Sequence, residues 1–248
     1  MTAAPHSAYA PVPVRPGRGL FAFLAPDHAR YHRRTDDSEA APLCNQYVPP
    51  ESYDEFRRMY DYDVENLTGN EPWFDEAFPD RTLPIVRKGG AGLQLVKARW
   101  GMPSPPRYLS KSGRDSGVTN IRNVGSPHWR RWLGPEHRCL VPVKRFAEPG
   151  PDGRPVWFES ADGRPMMFAG ICVDGWVSIR KVRDGETEDD LFGFLTTEPN
   201  AEVGAVHPKA MPVILRTREE WDAWLNLPWD EVRHMQRPLP DGALRVVA

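Results

Sequence analysis

The feature that most restricts how this chain can fold is a succession of short apolar runs, each cut off by proline or glycine. Runs at 82–86, 93–100, 138–143, 156–160, 166–172, 176–180, 191–197 and 211–215 have strand length and are rich in Val, Ile, Phe and Trp. The 248 residues include 27 prolines, and proline breaks helix interiors because it removes a donor and clashes with the preceding turn. Spacing predicts only three helices. Tyr53, Phe56, Met59 and Tyr60 recur at helical intervals within 51–62, behind Ser52 as N-cap. Residues 126–133 form a second, with Ser126 as N-cap, Pro127 at the first position, and Trp129 and Trp132 on one core-facing side. The third, 219–227, is built on Trp221, Trp224 and Leu225. Many strands and few helices predict α+β architecture: a single domain with a curved, barrel-like, mostly antiparallel β-sheet and a few flanking helices.

The domain is expected over 44–235, with 236–248 as a C-terminal tail. Residues 1–43 are rich in Pro, Ala, Arg and His without a 2.0 or 3.6 period, so they read as disordered or as absent from the mature protein. Three cysteines, Cys44, Cys139 and Cys172, show no CxxC spacing. That argues for a reducing compartment, and against a disulfide framework or a zinc site. No run approaches the ~18 apolar residues of a membrane span. A cytoplasmic monomer is expected, without metal, cofactor or membrane.

Net charge is −2, but its distribution is uneven. Between Arg107 and Arg145, nine Lys/Arg face two acids; from Arg183 to Asp190, five acids face one arginine. A basic middle suits a polyanion-binding face and equally a solvated mixed surface. The loop 101–119 carries Arg107, Lys111 and Arg114. Loops of this length are functional or disordered.

Four polar residues stand where packing alone would not put them. Cys44 begins the body, Asn120 follows the basic loop, Glu148 follows a strand pattern, and His207 precedes another. Thiol, amide, carboxylate and imidazole are the groups of nucleophilic chemistry with proton transfer. Cys139 and Cys172 lie inside strand patterns and read as packing.

In order along the chain stand Cys44-Asn-Gln-Tyr, Trp100-Gly101, Asn120-Ile-Arg122, Arg138-Cys-Leu-Val-Pro142 with Glu148 beyond it, Phe168-Ala-Gly170, Leu195-Thr-Thr197 and His207-Pro-Lys-Ala-Met-Pro212. This succession closely resembles the SRAP (SOS response-associated peptidase) family over nearly all of 44–230. The resemblance implies binding to single-stranded DNA, and capture of abasic sites as a thiazolidine crosslink by an N-terminal cysteine, a lyase-like chemistry within the DNA damage response. It implies Cys44 as nucleophile, Asn120 orienting the sugar or amine, Glu148 moving a proton during ring opening, and His207 as acid/base. Arg122 would hold a phosphate, Arg107, Lys111 and Arg114 would track the backbone, and Trp100 would stack on a base or else close its strand into the core.

The chain departs from the pattern in three places. Residues precede Cys44, whose amide nitrogen cannot form an imine. Leu43 is therefore expected to be the true initiator, encoded by TTG or CTG, or else the preceding segment is cleaved. Phe146-Ala-Glu-Pro149 lacks the usual aromatic and Trp around the glutamate, and Asn123-Val124 replaces the common Ser/Ala-Glu. The rival readings are a cysteine (auto)peptidase using Cys44 with His207, and a noncatalytic single-strand binder.

Overall fold

The computed structural model describes residues 45–69 and 72–247, all within the unit Ala40–Ala248. In chain order the first elements are β1 (Gln46–Val48), α1 (Tyr53–Tyr60), β2 (Glu65–Asn66), β3 (Thr82–Lys88), β4 (Leu93–Trp100), β5 (Asn120–Ile121) and α2 (Pro127–Arg130). Then come β6 (Arg138–Val143), β7 (Arg145–Pro149), β8 (Pro155–Ser160), β9 (Met166–Ser178), β10 (Thr187–Thr197) and α3 (Ala201–Gly204). The chain ends with β11 (Met211–Pro212), β12 (Ile214–Leu215), α4 (Arg218–Asn226), α5 (Trp229–Val232) and β13 (Leu244–Val247).

Five of these strands close on themselves. β4 pairs with β3, β3 with β6, β6 with β9 and β9 with β10, all antiparallel, and β10 returns to β4 in parallel. The result is a closed mixed barrel within an α+β domain. A second sheet, in the order β1-β7-β8-β13, is antiparallel throughout.

The barrel strands read as near-continuous apolar runs because both of their faces are covered. Phe168, Phe192, Phe194, Cys139 and Val141 pack with Tyr47, Phe146 and Phe158 of the second sheet. The alternate residues Leu140, Met167, Ala169, Ile171, Leu191 and Leu195 pack with Phe56 and Tyr60 of α1 and with Trp221, Trp224 and Leu225 of α4. Trp129 and Trp132 join this second cluster, as their spacing predicts. The caps are those expected from sequence: Ser52 accepts from Glu55 N, and Ser126 from His128 N.

β7, α3 and α5 lie outside the runs and helices read from sequence, and four further stretches differ from that reading. The runs at 166–172 and 176–180 are one strand, β9, carried to Ser178 as half of a long hairpin with β10. The acidic stretch, which lies outside every apolar run, supplies Thr187–Asp190 to β10, where cations of β4 and β3 meet its charges: Arg99 Nη1 lies 3.0 Å from Asp189 and Arg87 Nη1 3.4 Å from Asp190. The run 211–215 divides at Val213, with β11 on β10 and β12 on β9. Finally, the tail expected at 236–248 contains β13, registered along β8 from Leu244↔Ser160 to Val247↔Trp157. Its alternation is too short to stand out in sequence, and pairing with β8 makes it a strand.

Candidate active site

Two of the residues singled out from sequence meet. Glu148 lies on β7 and His207 three residues beyond α3, with His207 Nδ1 3.2 Å from Glu148 Oε2. Exposure is 1% for Glu148 and 5% for His207. Local structure holds the histidine: Asn200 caps α3 by accepting from Val203 N, and the His207 N–H donates to Val203 O at 2.7 Å. Ala210 O lies 3.3 Å from the same Nδ1. Two acceptors around Nδ1 assign the proton of the neutral ring to that nitrogen. Nε2 is then the nitrogen that exchanges protons, and it is buried without a hydrogen-bond partner among the described residues. The hydrogen bond to Glu148 raises the His207 pKa above its ordinary value, outweighing the opposite effect of desolvation.

Asn120 stands on β5, which runs parallel to the end of β10 with Asn120 opposite Phe194. Its Nδ2 donates to Thr119 Oγ1 at 3.0 Å. Further along β10, Thr197 pairs with Met211, the residue after Ala210. One strand therefore connects the asparagine to the segment that holds His207.

Cys44 lies outside the described residues. The chain that follows it is well placed. β1 begins at Gln46, which pairs with Ala147, the neighbour of Glu148. Tyr47 is fully buried, its ring 5.2 Å from Trp100, 5.7 Å from Phe168 and 6.4 Å from Phe194. Gln46 Nε2 donates to Glu76 at 2.7 Å. Tyr47 packs β1 into the core, a contact that the sequence signals only by an aromatic directly after the polar Asn-Gln pair.

Of the residues expected to contact DNA, Arg107, Lys111, Arg114 and Arg122 are exposed. Arg107 lies over the Tyr108 ring at 4.8 Å, Arg114 Nε donates to Arg180 O, and Arg122 pairs with exposed Glu198 at 3.4 Å. Trp100 corrects the base-stacking expectation. It is 1% exposed, packed against Phe192 and Phe194, and its indole N–H donates to Thr119 O. Both of its faces are occupied by the core. Cys139 and Cys172 are buried, and burial pushes the Cys139 thiol well above its ordinary pKa, which suits inert packing.

Among the described residues no group of three or more His, Cys, Asp or Glu could hold a metal ion, and no helix is long and apolar enough to cross a membrane. A cleft of about 750 Å³ includes none of the expected site residues. It is lined by Arg164, Arg216 and Arg237, each of which faces a carboxylate, Asp162 or Glu220.

A closed mixed barrel, with a second sheet on which a buried glutamate meets a histidine, is thus the frame of this protein. Residues 43–248 match the family described as SOS response associated peptidase (SRAP), and the chain belongs to that family. Membership supports an SOS-associated role in general. No curated protein matches the chain. Solved structures share its fold. A protein from Bordetella bronchiseptica aligns with a TM-score of 0.63 at 21% identity, covering 83% of this chain and 100% of that one. A protein from Bacteroides thetaiotaomicron gives 0.59 at 19% identity, over 83% and 92% of the two chains. A phage-related protein from Bordetella bronchiseptica gives 0.59 at 18%, over 82% and 93%.

Proposed function

We propose that this protein captures abasic sites in single-stranded DNA as a covalent adduct on Cys44. The observation that supports this most is the buried contact of His207 with Glu148 of β7, the strand paired with β1, which begins two residues after Cys44. An abasic sugar opens to an aldehyde. The free α-amine of Cys44 adds to its carbon, and loss of one water leaves an imine. The thiol of the same residue then adds across the C=N bond: sulfur bonds to carbon, the thiol proton goes to nitrogen, and a five-membered thiazolidine closes. Amine and thiol sit on one residue, so the second addition is intramolecular and has a high effective molarity.

His207 Nε2 gives and takes the protons of imine formation and of reversal, while Nδ1 stays on Glu148. Glu148 also serves proton transfer as the sugar opens. Asn120 orients the sugar or the amine. Arg122 holds a phosphate after exchanging its exposed partner Glu198, a pairing of the kind worth at most ~1 kcal/mol. This chemistry requires Cys44 to be the first residue of the active chain.

The test begins with protein expressed from its genomic start region, weighed intact, then incubated with a single-stranded oligonucleotide bearing one abasic site. The expected masses are a chain starting at Cys44, and an adduct equal to protein plus DNA less one water. Cys44→Ala should bind the oligonucleotide and form no adduct. An active chain that keeps residues ahead of Cys44, or an adduct that persists in Cys44→Ala, overturns the proposal.

A further inference from the structure

A smaller cleft of about 310 Å³ is walled by Val124, Gly125, Arg130, Leu133, Gly134 and Trp229. None of these residues takes part in the chemistry proposed for Cys44, Glu148 and His207. The cleft continues directly from the strand of Asn120: β5 ends at Ile121, Arg122 follows, and the wall begins at Val124. Its other side comes from α5. Gln236, just beyond that helix, donates to Arg122 O at 2.9 Å and to Thr196 O at 3.0 Å. The cleft is therefore held beside the backbone of Arg122 by side-chain hydrogen bonds.

Its lining combines three kinds of group. Trp229 is half-buried and offers an indole, fixed edge-on to Trp224 at 6.3 Å and backed by the Arg138 guanidinium at 5.4 Å. Val124 and Leu133 are aliphatic, and Gly125 and Gly134 leave the walls without side chains. Arg130 is exposed, anchored by Nε to Gly125 O at 3.2 Å, and pairs with no carboxylate among the described residues. Its terminal amino groups remain available as donors. An aromatic wall, aliphatic sides and an uncommitted guanidinium, in a volume suited to one heterocycle, match what a nucleobase needs.

The geometry points to a nucleobase subsite: the cleft takes one unstacked base of the single strand whose backbone Arg122 holds. The base lies against Trp229 and turns an acceptor edge to Arg130. This inference rests on the single-strand reading above and adds a place where the strand is gripped by a base as well as by its phosphates. The cleft borders Arg122, so the base belongs to a nucleotide near the captured site.

Gly125 provides a test that removes no contact. A Cβ built there meets only Asn123 Oδ1, at 3.3 Å, so Gly125→Leu adds bulk to the cleft wall without a Cβ overlap on the backbone. Two oligonucleotides of equal length and charge would be compared by fluorescence anisotropy, one carrying bases throughout and one carrying base-less spacers around the captured position. Wild type should prefer the first by about tenfold, the scale of one base stacked on an aromatic ring. Gly125→Leu should lose most of that preference and bind the spacer oligonucleotide like wild type. Arg130→Ala, which leaves the cleft open, serves if Gly125→Leu fails to fold, and should also reduce the preference. A 2-aminopurine moved along the strand should be quenched at one position in wild type and recover there in the variant. If wild type binds DNA and both variants keep its preference and quenching, the subsite is wrong and the single-strand reading stands. If wild type binds neither oligonucleotide, the single-strand reading fails and the subsite fails with it.

Discussion

The protonation of His207 is set by its neighbour more than by its burial. Burial alone would favour the neutral ring, yet the hydrogen bond and charge of Glu148 favour the imidazolium, and they prevail. Because the folded pKa is raised, the pair adds stability in full below the ordinary value of 6.5, and that stability is lost as pH rises through the folded value. Glu148→Gln keeps the shape and removes the charge. The His207 midpoint, followed by NMR, should move down in that variant, and an unchanged midpoint would show that the carboxylate is not the cause. Sequence singled out both residues through the succession of motifs. It carried no sign that they touch, because β7 and the loop after α3 are brought together only when the second sheet packs on the barrel.

At the scale of elements, the loop 101–119 is a tethered structure. Met102 and Val118 exchange backbone hydrogen bonds at its neck, and buried Arg180 donates to Gly101 O at 2.6 Å. Gly117 has φ of +76°, and a Cβ there would stand 2.3 Å from Arg180 Nη1 and 3.0 Å from Gly101 Cα. Gly117→Ala should therefore cost about 1–3 kcal/mol, read as a lower urea midpoint, and should loosen the strand that presents Asn120. β1 depends on one side chain in the same way. Tyr47→Ala empties a site surrounded by Trp100, Phe168 and Phe194, and should cost about 3–5 kcal/mol by the large-to-small scale for aromatics. A loss below about 1 kcal/mol would mean that Tyr47 does not anchor the strand after Cys44. The strands legible in sequence are those with long apolar runs, such as β6, which is buried along its whole length. β7 and β13 were missed because they are short and partly polar, and the first half of β10 because its acids are matched by arginines from elsewhere in the chain.

For the molecule as a whole, a net charge of −2 conceals an uneven distribution of charge. Arg107, Lys111, Arg114 and Arg122 are all exposed, and the acids of the 183–190 stretch are partly taken up by Arg99 and Arg87. Binding to single-stranded DNA should weaken steeply between about 50 and about 200 mM salt, because each neutralised phosphate releases counterions. Arg122→Ala should lower the slope of log K against log salt by about one, as loss of one phosphate contact does. Titrations of both proteins by anisotropy across that range check this, and equal slopes would remove Arg122 from the interface. By itself the sequence determined the α+β class, the helix caps, the buried tryptophans and the family, since these depend on local spacing, composition and ordered motifs. Tertiary structure decided how the barrel closes through the parallel return of β10 to β4, the contact of Glu148 with His207, the burial of Trp100 and the strand at the C-terminus. Each of these is a pairing between distant segments. Such pairing is settled by which faces can be buried together, and no short stretch of sequence records that.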